Sequence, residues 1–324
     1  MLLASGLNVP DDLLYYDADG TVLVGEHGDG HLARIGGAAG LVRLPQVFPE
    51  PEGIALVAGT TYVADQYHAR VVALTGDGIR TVLQLQPVAS GENLDGISSD
   101  LKGTGLVVPD SAHGTVLLVD TAGHITSRVG GFSRPAGAAP DPKVGGYLIA
   151  DEGYGAVFEL TGSVVRQLAS GLPGADDVVR DARGHVLVTL PAAGKLYDVT
   201  ARASLAAGLR YPQGLGFDGA QNVLVTESDA GRLDLVVTTF AVTVPGQPVL
   251  LAPGQGVCYG ILRAPGNTDS IHLYQSIGAV PVSDPLTGSE GEVVPQTCTL
   301  PTCTVKLVLQ GPSGLEYAWF TYRD

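Results

Sequence analysis

An all-β repeat architecture is what the sequence predicts, and three observations carry it. First, six short segments recur: Pro10-Asp11-Asp12-Leu13, Pro51-Glu52-Gly53-Ile54, Leu94-Asp95-Gly96-Ile97, Pro135-Ala136-Gly137-Ala138, Ala175-Asp176-Asp177-Val178 and Pro212-Gln213-Gly214-Leu215. Their second residues stand at 11, 52, 95, 136, 176 and 213, so the steps are 37 to 43 residues, an interval typical of propellers and solenoids. Second, each interval holds four short apolar runs separated by turn residues. Third, 45 Gly and 21 Pro in 324 residues, with only 16% charged, suit many short strands joined by tight turns. Together these predict a six-bladed β-propeller over residues 1–240, followed by a small β-rich, sandwich-like module over 241–324.

The second repeat shows the blade. Gly53-Ile54-Ala55-Leu56 reads as a first strand and Thr61-Tyr62-Val63-Ala64 as a second. Arg70-Val71-Val72-Ala73-Leu74 and Arg80-Thr81-Val82-Leu83-Gln84-Leu85 follow as third and fourth. Second strands recur at Val22-Leu23-Val24, Leu106-Val107-Val108, Tyr147-Leu148-Ile149-Ala150, Val186-Leu187-Val188 and Val223-Leu224-Val225. The turns between first and second strands, such as Asp17-Ala18-Asp19-Gly20 and Phe217-Asp218-Gly219-Ala220, supply residues that tolerate positive φ.

The sixth repeat has three strands, ending near Leu235-Val236-Val237, and lacks a fourth downstream. Leu2-Leu3-Ala4-Ser5-Gly6-Leu7 resembles the fourth strands Gln167–Leu172 and Ser204–Leu209. The N-terminal segment is therefore expected to complete the last blade and remove its exposed edge. Beyond residue 240 the period breaks. Strands are expected near 242–245, 248–251, 270–274, 304–309 and 316–322, in a module that serves as a packing extension or as an attachment point for a protein or surface partner.

Lys+Arg 18 against Asp+Glu 33 gives a net charge of −15, which opposes nucleic acid and anionic membranes and favours cations or neutral small molecules. No apolar run is long enough to span a membrane. No signal peptide is visible. Cys298 and Cys303 flank a Thr-Leu-Pro-Thr turn, and a disulfide there would argue for an oxidising compartment. With few Lys and one Met, this favours a secreted or periplasmic protein over a cytoplasmic one.

Tyr62-Val63-Ala64-Asp65-Gln66-Tyr67-His68-Ala69-Arg70-Val71 resembles the NHL repeat, and Leu148-Ile149-Ala150-Asp151 and Val107-Val108-Pro109-Asp110 repeat its core. His68, His113 and Tyr154 occupy the position usually held by Asn. The resemblance covers about residues 1–240. It implies kinship in fold with the senescence-marker-protein/gluconolactonase family, streptogramin lyases, strictosidine-synthase-like proteins and peptidyl-amidating lyases. Several relatives serve only as binding platforms.

In an antiparallel blade, the inlet to the first strand and the turn between strands two and three share one face. First strands line the axis, so Asp11, Glu52, Asp95, Ala136, Asp176 and Gln213 are expected around one ring. Turn residues such as His27, Tyr67, His68, Asp110, His113, Glu152 and Tyr154 are expected on the same face. Four of the six inlet positions are acidic. Converging carboxylates repel unless a cation intervenes, and a hard divalent ion, Ca²⁺ above all, suits oxygen ligands. Asp11, Glu52, Asp95 and Asp176 are the candidate metal ligands. Spread around a wet channel, the same residues would instead cap turn amides. The gluconolactonase resemblance implies Glu, Asn and Asp ligands in inlet slots. Asp11 and Asp176 stand in the Glu and Asp slots, Ala136 stands where Asn is expected, and Glu52 would compensate. A Zn²⁺ site built from His27, His68 and His113 is the less favoured option. His68, His113 and Asp176 are the candidate catalytic acids and bases. Asn93, Tyr67, Gln213 and Tyr154 are the candidate ligand contacts. The functions expected are a metal-dependent lactonase- or esterase-type hydrolase, a non-catalytic binding platform, or a lyase of the streptogramin or amidating kind.

Overall fold

The structure, a computed structural model, describes residues 2–16, 18–36, 40–76, 78–181, 184–218 and 222–236 throughout, and beyond them only the backbone of strands between 248 and 323. Six four-stranded antiparallel sheets follow one another as blades. Blade one runs through Pro10–Tyr16, Thr21–Glu26, His31–Ile35 and Val42–Val47. Blades two to five repeat the pattern from Pro51 to Ala207, with strand pairs in consecutive order. In blade three the first strand contracts to Ser98–Ser99. Blade six takes Pro212–Phe217, Val223–Glu227 and Arg232–Val236 from its own repeat and Leu2–Ser5 from the start of the chain. Leu2 faces Asp234 and Ser5 faces Arg232, so the ring closes as expected, without a covalent link.

Side chains alternate across each strand, and the two faces of a blade feed two different interfaces. Leu23 packs with Leu32, Phe48, Ile54, Val63 and Val72 between blades one and two. Its neighbours Val22 and Val24 pack instead with Leu3, Leu224, Leu233 and Leu235 between blades six and one. Equivalent apolar clusters fill the other four junctions. Each fully buried Leu contributes about 1.5–3 kcal/mol, so the disc is held by six such seams and has no single centre.

The strands between 248 and 323 form two antiparallel sheets. One contains, in order, Pro248–Leu251, Cys303–Gln310, Ser270–Ile277 and Val280–Leu286; the other Glu290–Val293, Gly256–Leu262 and Tyr317–Arg323. The expected strand at 242–245, the boundary at 240/241 and the cysteine pairing lie outside the described residues. Among the described residues, no helix is long and apolar enough to cross a membrane.

Candidate functional site: an acidic channel mouth

Four of the first strands slip register at their inlets. The breaks fall between Pro10 and Leu13, Pro51 and Gly53, Pro135 and Ala138, and Pro212 and Leu215. A bulge re-aims the extra residue out of the ladder. In this chain it frees Asp11, Glu52 and Gln213, which line the channel. Glycine lets neighbouring first strands meet below them: a Cβ on Gly53 would lie 2.5 Å from the Ile97 nitrogen and 2.7 Å from the Asp95 oxygen.

Asp11, Glu52, Asp95, Asp176 and Gln213 line one cavity of about 320 Å³ at the channel mouth. Asp11, Glu52 and Asp95, from blades one to three, each offer an oxygen within 4.8 Å of the others. All three are buried, at 5%, 6% and 9% exposure. Burial raises Asp11 well above the ordinary carboxylate range, and repulsion from Glu52, Asp176 and Asp95 adds to it. Burial likewise raises Asp95 and Asp176, with Glu52 the main repelling charge on the first and Asp95 on the second. Against these acids the structure sets few donors. Gln213 Nε2 donates to Asp11 Oδ2, and His27 Nδ1 pairs with Glu52 Oε1. That hydrogen bond raises the His27 imidazole above its ordinary value despite partial burial. Arg134 Nη2 stands 3.9 Å from Asp95, and its Nη1 is already drawn to Glu152 at 2.7 Å and Glu92 at 3.3 Å. Below the mouth the channel narrows to a neck of about 10 Å³ between Asp11, Asp12, Glu52, Asp95, Asp176 and Asp177, room for about one water.

The other expected site residues are placed elsewhere. Tyr67 and His68 line a separate surface cavity of about 550 Å³ with Arg70 and Gln84. His68 Nδ1 is held by Asp65 at 2.9 Å and His113 Nδ1 by Asp110 at 2.8 Å. The zinc arrangement is therefore corrected: among the described residues, the potential metal-binding cluster contains no histidine. The carboxylate three residues earlier captures each of these imidazoles within its own turn, and His27 alone of the three lines the acidic cavity. Asn93 is also corrected from ligand contact to scaffold. It is 2% exposed, its oxygen accepts from the Val88 amide, and its nitrogen donates to the Gln66 and Gly91 carbonyls. Tyr154 is exposed and leans on the Phe158 ring, with centroids 6.2 Å apart. Ala136, the inlet residue of blade four, is buried.

Arg134 and Tyr211 are site residues that sequence reasoning missed. The signal was present: each immediately precedes an inlet proline, as Val9 precedes Pro10. Val9 and Tyr211 hold φ at +48° and +56°, a conformation β-branched and bulky residues rarely adopt. Two of the five such non-glycine residues among those described therefore lie at the mouth.

No family model matches this sequence, and no curated protein matches it by sequence. Solved structures do match in shape. A streptogramin B lyase superposes with a TM-score of 0.54 at 17% identity, over 69% of this chain and 78% of that one. A putative gluconolactonase gives 0.58 at 15% identity, over 73% and 92%. A putative oxidoreductase (glucose dehydrogenase) from Thermus thermophilus gives 0.60 at 16% identity, over 72% and 98%. At such identities the likeness speaks for the fold. The chain is a six-bladed β-propeller of the architecture shared by these lyase, gluconolactonase and dehydrogenase structures.

Proposed function

We propose that the channel mouth binds one hard divalent cation, calcium in preference to zinc, together with a small ligand, and that the protein is a metal-dependent hydrolase of lactones or esters. One observation carries this reading: three buried carboxylates from separate blades converge within 4.8 Å, and the guanidinium beside them, Arg134, stands 3.9 Å from Asp95 and is shared with Glu152 and Glu92. Charges so placed need either protons or a cation. The donor set is all oxygen, which fits a calcium-like ion. Asp11, Glu52 and Asp95 would hold it, with Asp176 adjoining them. A bound ion of this kind polarises a carbonyl and lowers the pKa of water.

The remaining work falls to the chain's own side chains. His27, half-buried at the rim and hydrogen-bonded to Glu52, is placed to take a proton from an attacking oxygen and return it to a leaving one. His68 and His113 are not part of this constellation. Arg134 offsets part of the negative field and fixes Glu152 and Glu92 at the edge. Tyr211 and Gln213 supply the neutral wall against which a ligand rests.

The His27–Glu52 pair also supports a second reading, a lyase in which that imidazole removes a proton from carbon without a metal. Extracytoplasmic location and attachment through the C-terminal module complete the proposal.

Metal analysis of the purified protein, melting curves with calcium and with chelator, and a lactone and ester panel test it. Bound calcium, a chelator-sensitive melting temperature and chelator-sensitive turnover are the expected results. A metal-free protein whose melting ignores both additions removes the cation; chelator-resistant activity lost in His27→Ala then favours the lyase. A protein inert throughout is a binding platform or a lyase of narrow scope.

A further inference from the structure

The cavity of about 550 Å³ beside Tyr67 and His68 is separate from the acidic mouth, and no acidic side chain lines it. One of its walls is an extended loop. Between the fourth strand of blade two, Gly78–Gln84, and the first of blade three, Ser98–Ser99, the chain runs through residues 85–97. The other connections between blades span only 48–50, 131–134, 171–177 and 208–211. Asn93 pins the loop: its oxygen accepts from the Val88 amide at 2.6 Å, and its nitrogen donates at 2.9 Å to the Gln66 carbonyl in the turn opposite. Gln84 Nε2 fastens the near end by donating to the His68 carbonyl at 2.8 Å and the Leu85 carbonyl at 3.0 Å.

Across from the loop, one buried acid organises the lining. Asp65 Oδ2 accepts from Arg70 Nε at 2.8 Å and from His68 Nδ1 at 2.9 Å. The grip on His68 holds its imidazole edge-on to the Tyr67 ring, with centroids 5.1 Å apart and planes at 88°. Tyr67 itself is 58% exposed. Arg70 is held through Nε alone. Its Nη1 and Nη2 have no hydrogen-bond partner among the described residues, and solvent reaches them. Arg232, which opens the third strand of blade six as Arg70 opens that of blade two, is caught instead between Glu227 and Asp234. Glu92, the nearest acid of the loop in sequence, turns away to Arg134 at 3.3 Å.

An accessible guanidinium edge beside an exposed aromatic ring and the apolar Pro87, Val88 and Ala89 matches one ligand chemistry. The planar fork of an arginine takes a carboxylate through two parallel hydrogen bonds, and the ring takes a flat apolar body. A cation finds no partner, since Asp65 is fully buried and already engaged.

We propose that this cavity binds a small aromatic carboxylate, an anion that the net charge of −15 disfavours elsewhere on the chain. Arg70 holds the carboxylate, and Tyr67 and the loop enclose the ring. The site is independent of the acidic mouth and of its proposed chemistry.

The test uses the full chain and 2-naphthoate, with 2-naphthamide as its neutral counterpart, read by titration calorimetry and saturation-transfer NMR. Saturable one-to-one binding of naphthoate is expected, with or without calcium, about tenfold tighter than that of naphthamide. Ala89→Glu sets a carboxylate on the exposed wall and should weaken naphthoate about fivefold while sparing naphthamide. Tyr67→Ala should weaken both about three- to tenfold. Arg70→Lys keeps a charge beside Asp65 but loses the fork, and should weaken naphthoate about tenfold. Absence of saturable binding, equal affinity for the two ligands, or binding abolished by calcium overturns the proposal. So does naphthoate affinity unaltered in both Ala89→Glu and Tyr67→Ala; both residues are exposed, so these variants decide even if Arg70→Lys fails to fold.

Discussion

The propeller buries two sets of carboxylates in the same blades, and they are treated in opposite ways. The acids ending the second strands each have donors of their own. Asp151 accepts from the Ser133, Arg134 and Tyr154 amides; Asp65 from Arg70; Glu26 from Arg43 and the Asn8 amide; Glu227 from Arg232 and the Arg210 amide. The acids at the first-strand inlets face one another instead, with one glutamine, one histidine and a shared arginine near them. Both sets mix Asp and Glu and, Asp176 apart, both are buried. What separates the two sets is the supply of donors.

Removing a structural acid has the largest expected effect. Glu227→Ala leaves the Arg210 amide without its acceptor and Arg232 with Asp234 alone, at 3.0 Å, and should cost about 3–5 kcal/mol, read by denaturant unfolding and indifferent to calcium. A loss under about 1 kcal/mol would erase the distinction between the sets, because such a loss is typical of a solvated surface pair.

Neutralising the inlet acids should act in the other direction. Asp95→Asn with Asp176→Asn relieves repulsion, so in chelator the variant melts above the parent. It should also lose the calcium response, which for the parent is about 2.7 kcal/mol at a calcium concentration one hundred times Kd. A variant that still responds fully to calcium places the ion elsewhere.

Acidity separates the sets without mutation. Burial and repulsion raise Asp11, Asp95 and Asp176, and burial carries Asp177 to about 7. An acid raised by folding binds more protons in the native state, so its contribution is complete below the unfolded value of 3.8 and is lost as pH climbs through the folded value. Glu227 has the opposite sign. Burial pushes it up, but its hydrogen bonds with Asp234, the Arg210 amide and Arg232 outweigh that and hold it below 4.5, so its contribution is lost as pH falls. The calcium-free protein should therefore lose stability between about pH 4 and pH 7, and calcium should restore it most at the upper end. Melting curves in chelator that rise across this range would count against the raised inlet acids.

The smallest effect belongs to the turn histidines. His68→Asn and His113→Asn alter half-exposed pairs and should shift stability by no more than about 1 kcal/mol, with calcium affinity unchanged by titration calorimetry.

The ring was legible because its cause is periodic. Each repeat must bury two faces, so Val22, Leu23 and Val24 recur in kind at Leu106, Val107 and Val108. Closure by Leu2–Ser5 was legible for the same reason, since that segment carries the alternation of a fourth strand. The inlet ring was legible in position but not in depth: no letter distinguishes Asp95 from Asp151, because two of the donors to Asp151, the Ser133 and Arg134 amides, come from the inlet of its blade 18 and 17 residues away. His68 misled because in-register histidines look like a cluster until the acid three residues before each is considered. Arg134 was hidden as an ordinary residue before a proline. In the C-terminal part, strands near 248, 270, 304 and 317 were read. Those at Gly256–Leu262, Val280–Leu286 and Glu290–Val293 were not, since their glycines and prolines read as turns.

The partner of the first strand lies at the far end of the array, and this sets an order of assembly on the ribosome. Leu2–Ser5 leaves the exit tunnel long before Arg232–Val236, which must be made before it has anything to join. Until then both rims of an open arc are unpaired, a state that invites swapping with a second nascent copy. Anything fused ahead of Met1 is therefore carried to the last joint of the disc, where bulk delays its latching more than it disturbs the finished protein.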